Sequence, residues 1–398
     1  MNRPVWRLLL LLAFIVETYS LLPVRELTTT TLATKPYVEG IFHVHSRFSD
    51  GGGTVEEIAA AGNKAGMDFV VLTDHNTTEA RRQGQERRYD KTDIFVEMEA
   101  STPSGHALCF YSQGPLVSLS DEEAVKACYQ HIEGKKKDLF AITAHPSHVR
   151  NPWIELDRST EGIEVMNFDS SWQRQLRQTP FSFLLTAMLI PFNEFLSSLR
   201  FFQFFPKDLS AWDTMNSFQE GHFGILAHDT HGTLGLSETL SVRWPDYDEM
   251  FRLAGNIVFP MAPLSQDFQE RKKEIYRAIR KGRLAMHLRA IFPYEGNALV
   301  LRCGDKTYDV GDSVSLTPEK CEFEVSTPLK LPYAKRVRLV RNGETVTETS
   351  TEGPILRLPI TSPGVYRVEV WVSPRSLFHI LLNRDVPYVF YNPVYVQS

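Results

Sequence analysis

The sequence predicts an α/β barrel of alternating strands and helices, followed by a small all-β sandwich-like domain. Three observations carry that reading. Short apolar runs recur along residues 37–290, each beginning or ending in histidine or carboxylate. A strand–loop–helix–strand unit is legible across residues 41–75. From Ala298 onward the texture changes to short alternating strands divided by turn residues, the pattern of a β-sandwich.

The amino terminus comes first. Arg3 and Arg7 precede an apolar run from Leu8 to Val16, and Glu17 follows. A charged start with a short apolar core is the pattern of a secretory signal peptide, and the run falls short of the ~20 residues that span a bilayer. Residues 1–20 are therefore read as a signal peptide, with an uncleaved N-terminal anchor as the alternative, and residues 21–36 as a tether. The protein is expected to be exported, to a periplasm or beyond the cell.

His43-Val44-His45 ends the first apolar strand, and side chains at i and i+2 of a strand share a face, so both imidazoles can meet one ion. Asp50 follows in the loop. Thr54-Val55-Glu56-Glu57 has the form of a capping box, small and apolar residues recur at helical spacing behind it, and Gly66 suits a helix C-cap. The next strand, Phe69 to Leu72, delivers Asp74 and His75. Asp50-Gly51-Gly52-Gly53 lacks the Walker lysine and is read as a flexible turn at a pocket rim.

Later runs repeat the arrangement. Glu99 lies past Ile94–Val96, and His106 begins Ala107–Tyr111. Phe140–Ala144 runs into His145-Pro146, and Gly224–Ala227 runs into His228-Asp229-Thr230-His231. Ligands gathered at the carboxyl ends of successive strands are how a barrel assembles a site. Histidine and carboxylate without cysteine suit Zn, Mn or Fe in an open site. Asp74 is expected to orient a ligand histidine. Arg47, Arg150 and Arg243 are candidates for gripping phosphate, against the alternative of ordinary surface arginines. His148 and His228 are read as lying beside the ligands or facing solvent.

With these motifs in order (H-V-H-S-R-F-S-D-G, L-T-D-H-N, E-M-E-A-S-T with His106, A-H-P and H-D-T-H-G), residues 37–290 resemble the PHP (polymerase and histidinol phosphatase) domain, a family of metal-dependent phosphoesterases. The resemblance implies a distorted seven-stranded (β/α) barrel. It implies one ion on His43, His45, Glu99 and Asp229, a second on Glu99, His106 and His145, and a third on Asp50, His75 and His231. Asp50 stands where some three-metal members carry histidine. Glu97, on the same strand face, is the alternative to Glu99 as the bridging carboxylate. His43, His45, Glu99 and Asp229 are then the catalytic set, around two or three divalent ions that acidify a bridging water.

Three functions follow as expectations. The first is a phosphoesterase acting on a small phosphate ester, nucleotide or short oligonucleotide. The second is a carboxyl or carbamate ester or amide hydrolase, because Val386–Val396 resembles the ending of a PHP branch that includes carbamate-ester hydrolases. The third is a non-catalytic exported metal-binding module. A net charge of -5 and a pI near 6.2 argue against binding long duplex nucleic acid.

Residues 181–205 hold eight of the 25 phenylalanines and only two charges, Glu194 and Arg200. They are read as an apolar helical insert broken at Pro191: a packed hairpin, a lid, or a patch pressed on a membrane surface. Cys109 and Cys128 are read as small core residues, and Cys303 with Cys321 as a pair that an oxidising compartment could bond. Residues 291–398 form the second domain, in which Asn342-Gly343 signals a type I′ hairpin.

Overall fold

A computed structural model describes residues 11–12, 35–111, 119–134, 139–149, 152–153, 160–189, 205–235, 241–242, 245–316, 320–327, 334–351, 353–373 and 385–398. The signal-peptide and tether readings, Arg150, Arg243 and residues 190–204 of the insert fall wholly or almost wholly outside these residues.

Nine strands carry the site region: β1 (Val38–Val44), β2 (Phe69–His75), β3 (Thr92–Thr102), β4 (Gly105–Phe110), β5 (Phe140–Thr143), β6 (Gly162–Asn167), β7 (Phe223–Ala227), β8 (Gly255–Val258) and β9 (Leu284–His287). They lie in the order β9-β8-β1-β2-β3-β4-β5-β6-β7 within a large mixed sheet. The pairs β1–β2, β2–β3, β5–β6 and β6–β7 are parallel, while β4 runs antiparallel to both neighbours. Helix α1 (Val55–Ala65) joins β1 to β2, with the Thr54–Glu57 capping box formed and Gly66 left-handed at its end.

The architecture is mixed α/β, but the expected closed seven-stranded barrel is not formed among the described residues. No ladder joins β7 to the other end of the strand path. Its edge groups are satisfied by side-chain amides instead: Gly224 exchanges bonds of 2.7 and 2.8 Å with Asn392, and Leu226 exchanges bonds of 2.9 and 2.7 Å with Asn256. A buried backbone edge must find partners, and two asparagines supply them where a strand would have closed the ring. Beyond β7 the chain meets β1 through the bridge Val44 to Thr230 and a backbone bond of 3.0 Å from His228 N to Phe42 O.

Strand alternation sorts the core into two faces. Phe42, Phe69, Phe95, Phe110, Phe140 and Phe223 form one buried cluster. Ile41, Val70, Leu72, Ile94 and Val96 face the other way, in a cluster shared with Val55 and Ile58 of α1. Each such side chain contributes about 1.5–3 kcal/mol of burial. His75 and Glu99 keep step with Phe69 and Phe95, so they continue the phenylalanine face beyond its apolar end.

After β9 the described chain is all strand. Ala298–Cys303, Cys321–Ser326 and Ile355–Ile360 form one sheet with Lys306–Tyr308. Ala334–Arg341 pairs with Glu344–Thr351 through the Asn342-Gly343 turn, where both residues have positive φ, as a type I′ turn requires. Val386–Tyr391 pairs with β9, so the carboxyl-terminal strands extend the site-bearing sheet. Cys303 and Cys321 are bonded. Cys109 and Cys128, read as separate core thiols, are bonded as well: β4 and the helix α2 (Asp121–Ile132) pack with these two buried residues facing each other.

Candidate metal centre

Glu99 is the hub of the strand ends. Its Oε2 lies 3.1 Å from His43 Nε2, 3.3 Å from His45 Nε2 and 3.0 Å from His75 Nδ1. Its Oε1 lies 2.8 Å from His106 Nδ1 and 2.9 Å from His145 Nε2. Asp229 Oδ1 sits 3.4 and 3.3 Å from Nε2 of His43 and His45. One carboxylate thus faces two groups of imidazoles with its two oxygens.

Three sets of side chains bring ligand atoms within 4.8 Å of one another: His43, His45 and Glu99; His75, Glu99 and His106; and His45, Asp50, His75 and His231. All nine candidate residues gather at one place. The grouping differs from the expected one in two respects. His75 reaches Glu99 and His106 as well as Asp50. His45 lies between sets, with Nε2 toward Glu99 and Asp229 and Nδ1 3.6 Å from Asp50. His43, His45 and Glu99 are buried, while Asp50 is 55% exposed, so the cluster runs from the core to solvent.

The pair of histidines does not arise by simple strand alternation. Phe42 belongs to the phenylalanine face, so a regular strand would turn His43 toward α1. Instead the register between β1 and β2 shifts between Ile41 and Val44, and His43 has φ 64°. Asp229 at 51° and His145 at 29° share this left-handed region. Non-glycine residues there cost of order 1–3 kcal/mol each and collect at functional sites. Backbone bonds lock the turn: His45 N donates to Thr230 O at 3.0 Å and Thr230 N to His43 O at 3.3 Å.

Glu164 on β6 was not singled out from the sequence, although a glutamate in the apolar run Gly162–Met166 is the signal that could have found it. It is fully buried, lies 2.6 Å from His43 Nδ1, and accepts from His145 N at 2.6 Å. A carboxylate on Nδ1 places the proton there and leaves Nε2 as a lone pair. Asn167 donates to Glu164 at 2.8 Å and to Asp229 at 3.3 Å, while its oxygen caps the helix α3 (Phe168–Gln178). Among the described residues Asp74 is bonded to no histidine. It accepts from Ser46 N, Ser46 Oγ and Ser49 Oγ, and so ties down the loop after β1.

The Asp50–Gly53 loop is close-packed rather than a loose rim. A Cβ on Gly51 would stand 2.3 Å from His45 O, and one on Gly53 2.6 Å from the Tyr247 ring. Tyr247 Oη donates toward the carbonyls of His45 and His231, each at 2.9 Å, and accepts from Gly53 N at 3.1 Å. Arg47 spends its Nε on Gly52 O at 2.8 Å. His228 is buried, with Nε2 3.1 Å from Ala254 O and its ring against Phe168 and Phe251.

Electrostatics and unmet valence favour a cation here. Burial alone would lower the pKa values of His43 and His45, but Asp229 and Glu99 outweigh it, with Glu164 adding to the pull on His43. His43 is raised well above the usual range and His45 to about 10. His145 is raised to about 9 by Glu99 against its burial. Burial would raise Glu99, yet His43, His106 and His145 hold it well below the carboxylate range. His43 Nε2, both nitrogens of His45, Glu99 Oε2 and His145 Nδ1 are buried without a hydrogen-bond partner. Such groups are costly unless something fills their valence. The donor set, imidazole and carboxylate without thiolate, fits divalent Zn, Mn or Fe.

A cleft opens beside the cluster, lined by Phe168, Trp172, Phe183, Pro245, Met250 and Leu253, and sharing Asp229 and His231 with it. Asp169 on its wall is pushed up to about 7 by burial, reinforced by Asp229.

No protein-family model matches the chain, and no curated protein matches it. Among solved structures it is similar to a two-domain protein from Bacteroides vulgatus containing a predicted PHP-like metal-dependent phosphoesterase. That likeness has 13% identity and a TM-score of 0.40, covering 88% of this chain and 94% of the other. An amidohydrolase from Chromobacterium violaceum, with bound sulfate and no metal, is 14% identical with a TM-score of 0.27, covering 52% of this chain and 92% of that one. Likenesses this distant carry no activity across to the chain.

Proposed function

We propose that the chain is a metal-dependent hydrolase acting on a small phosphate ester. The observation that carries the reading is Glu99, whose two oxygens face separate groups of buried imidazoles with unfilled valence. His43, His45, Glu99 and Asp229 would hold one ion, and Glu99, His106 and His145 a second, with His75 at its edge. Asp50, His75 and His231 are suited to a third. When bound, such ions acidify a water near neutral pH and polarise the ester oxygens. Glu164 keeps His43 in the tautomer that presents Nε2, and Asn167 orients both Glu164 and Asp229. Tyr247 fixes the loops carrying His45 and His231.

A carboxyl or carbamate ester is the second reading. It is favoured by the cleft, whose described lining includes no Lys or Arg, and by Arg47 being engaged with its own loop. Assays of the metal-loaded chain against a phosphomonoester, a phosphodiester and a carboxyl ester decide between them. Phosphoester turnover abolished by His43→Ala supports the first reading. Turnover of the carboxyl ester alone replaces it with the second, and no turnover of any class with ions bound overturns both.

The two disulfides suit an oxidising compartment and support export. Helix α4 (Pro180–Leu189) exposes Phe181, Leu184 and Met188, which supports contact of the 181–205 insert with a membrane surface. Sedimentation with liposomes tests this, and the triple variant Phe181→Ser, Leu184→Ser, Met188→Ser should lose any binding observed.

A further inference from the structure

The cleft beside the cluster bears on which substrate the site accepts. It is continuous with the candidate metal centre because Asp229 and His231 belong to both. A molecule whose reacting group meets Glu99 and Asp229 therefore has its remainder beside Trp172, Phe183 and Met250. Trp172 and Phe183 come from neighbouring helices α3 and α4, with ring centroids 6.3 Å apart. Pro245, Met250 and Leu253 stand among the other lining residues.

Charge narrows the choice further. Among the described residues the lining holds no Lys or Arg, and its two carboxylates are Asp169 and Asp229. Asp169 is held in position by Trp172 Nε1 at 2.9 Å and Gln173 Nε2 at 2.5 Å. An anionic substituent entering this cleft gives up its hydration, finds no Lys or Arg among the described lining residues, and meets Asp169. A neutral aryl or branched alkyl group loses only its contact with water, and its transfer to an apolar wall is favourable.

We infer that this cleft is the subsite for a neutral, apolar substituent of the substrate, with Trp172, Phe183 and Met250 setting specificity, so that the substrate is an ester of an aryl or branched alkyl group and not a nucleotide or polyphosphate. The inference rests on the hydrolase reading for the reacting group, but it concerns a different part of the molecule.

The test uses the full metal-loaded chain and hydroxamates, whose chelating head binds divalent ions whichever ester class is hydrolysed. Affinities of acetohydroxamate, 2-naphthohydroxamate and 6-carboxy-2-naphthohydroxamate are measured by calorimetry, with turnover followed separately. The expected result is naphthyl binding at least about tenfold tighter than acetyl, a size of preference typical of apolar pockets. The carboxylated ligand should fall back toward the acetyl value. Trp172→Ala with Met250→Ala should collapse the naphthyl preference to within about threefold while metal content stays unchanged, Trp172→Phe should keep it, and Asp169→Asn should recover binding of the carboxylated ligand. Equal affinity for the acetyl and naphthyl compounds, or tighter binding of the carboxylated one, overturns the inference. A naphthyl preference that the double variant leaves intact overturns it too. A preference that behaves as expected in a chain with no turnover of any ester supports the subsite and overturns the hydrolase reading, so the two fail separately.

Discussion

Glu97 and Glu99 stand two residues apart on β3, on the same face, both buried. Their surroundings differ completely. Glu97 accepts from Tyr276 Oη at 2.6 Å and Tyr111 N at 2.7 Å, and pairs with Arg81 at 3.0 Å and Lys272 at 2.9 Å. Its valence and its charge are met by the protein. Among the described residues the Glu99 side chain meets only imidazoles, several with buried nitrogens that make no hydrogen bond. A buried carboxylate is stable when paired, so the first is complete as it stands, and the second calls for protons or metal ions from outside. One turn of a strand thus separates structural ionic chemistry from chemistry suited to binding a cation.

The sharpest way to break this contrast is to neutralise each carboxylate in turn. Glu99→Gln should remove ions from both flanking groups, and hydrolysis should fall by well over the ~100-fold that losing an outer partner costs. Glu97→Gln should keep its ions but lose about 3–5 kcal/mol of stability, because Arg81 and Lys272 lose a buried counter-charge. Metal analysis and denaturant unfolding on the two variants read both effects, and the reverse assignment would move the bridging role to Glu97.

A finer cut is Glu164→Gln, which keeps the hydrogen bond to His43 Nδ1 but removes the charge. Metal affinity should fall by about 10–100-fold with little change in fold, as competition with a chelator would report. The smallest effect is in pH dependence of the ion-free chain. His45 and His145 are raised to about 10 and about 9, so their charged pairs stabilise fully below the unfolded value near 6.5 and that stability is lost as pH rises through 9 to 10. The melting temperature without ions should therefore drop between pH 7 and pH 10, and His145→Ala should flatten part of that decline. A drop unchanged in that variant would show that other groups cause it.

Much of this was legible in the sequence because metal ligands are chemically distinctive and strand ends are marked by apolar runs. All nine candidate ligands converge, and the capping box, the Gly66 C-cap and the Asn342-Gly343 turn formed as their residue types dictate. What was hidden depends on partners distant in sequence. Glu164 stands out in sequence only as a charge within an apolar run, and its partner is set by the fold, which brings β6 beside His43, 121 positions away. The left-handed kink at His43 has no local signature, since histidine does not advertise positive φ as glycine does. Closure of a sheet is decided by its last edge, and Asn256 and Asn392 could not be seen to cap β7 before the chain was folded. Tyr247 knitting the Gly53 loop to His231 is likewise a tertiary event, which is why a glycine run read as loose proved tightly packed.

The most direct test is the metal content of the full chain and of its Glu99→Gln and Glu97→Gln variants by inductively coupled plasma mass spectrometry after loading with Zn, Mn or Fe. Two or three ions in the unaltered chain and in Glu97→Gln, with most lost in Glu99→Gln, is the predicted result. A chain that takes up none of these metals, or a Glu99→Gln variant that keeps its full complement, would contradict the account.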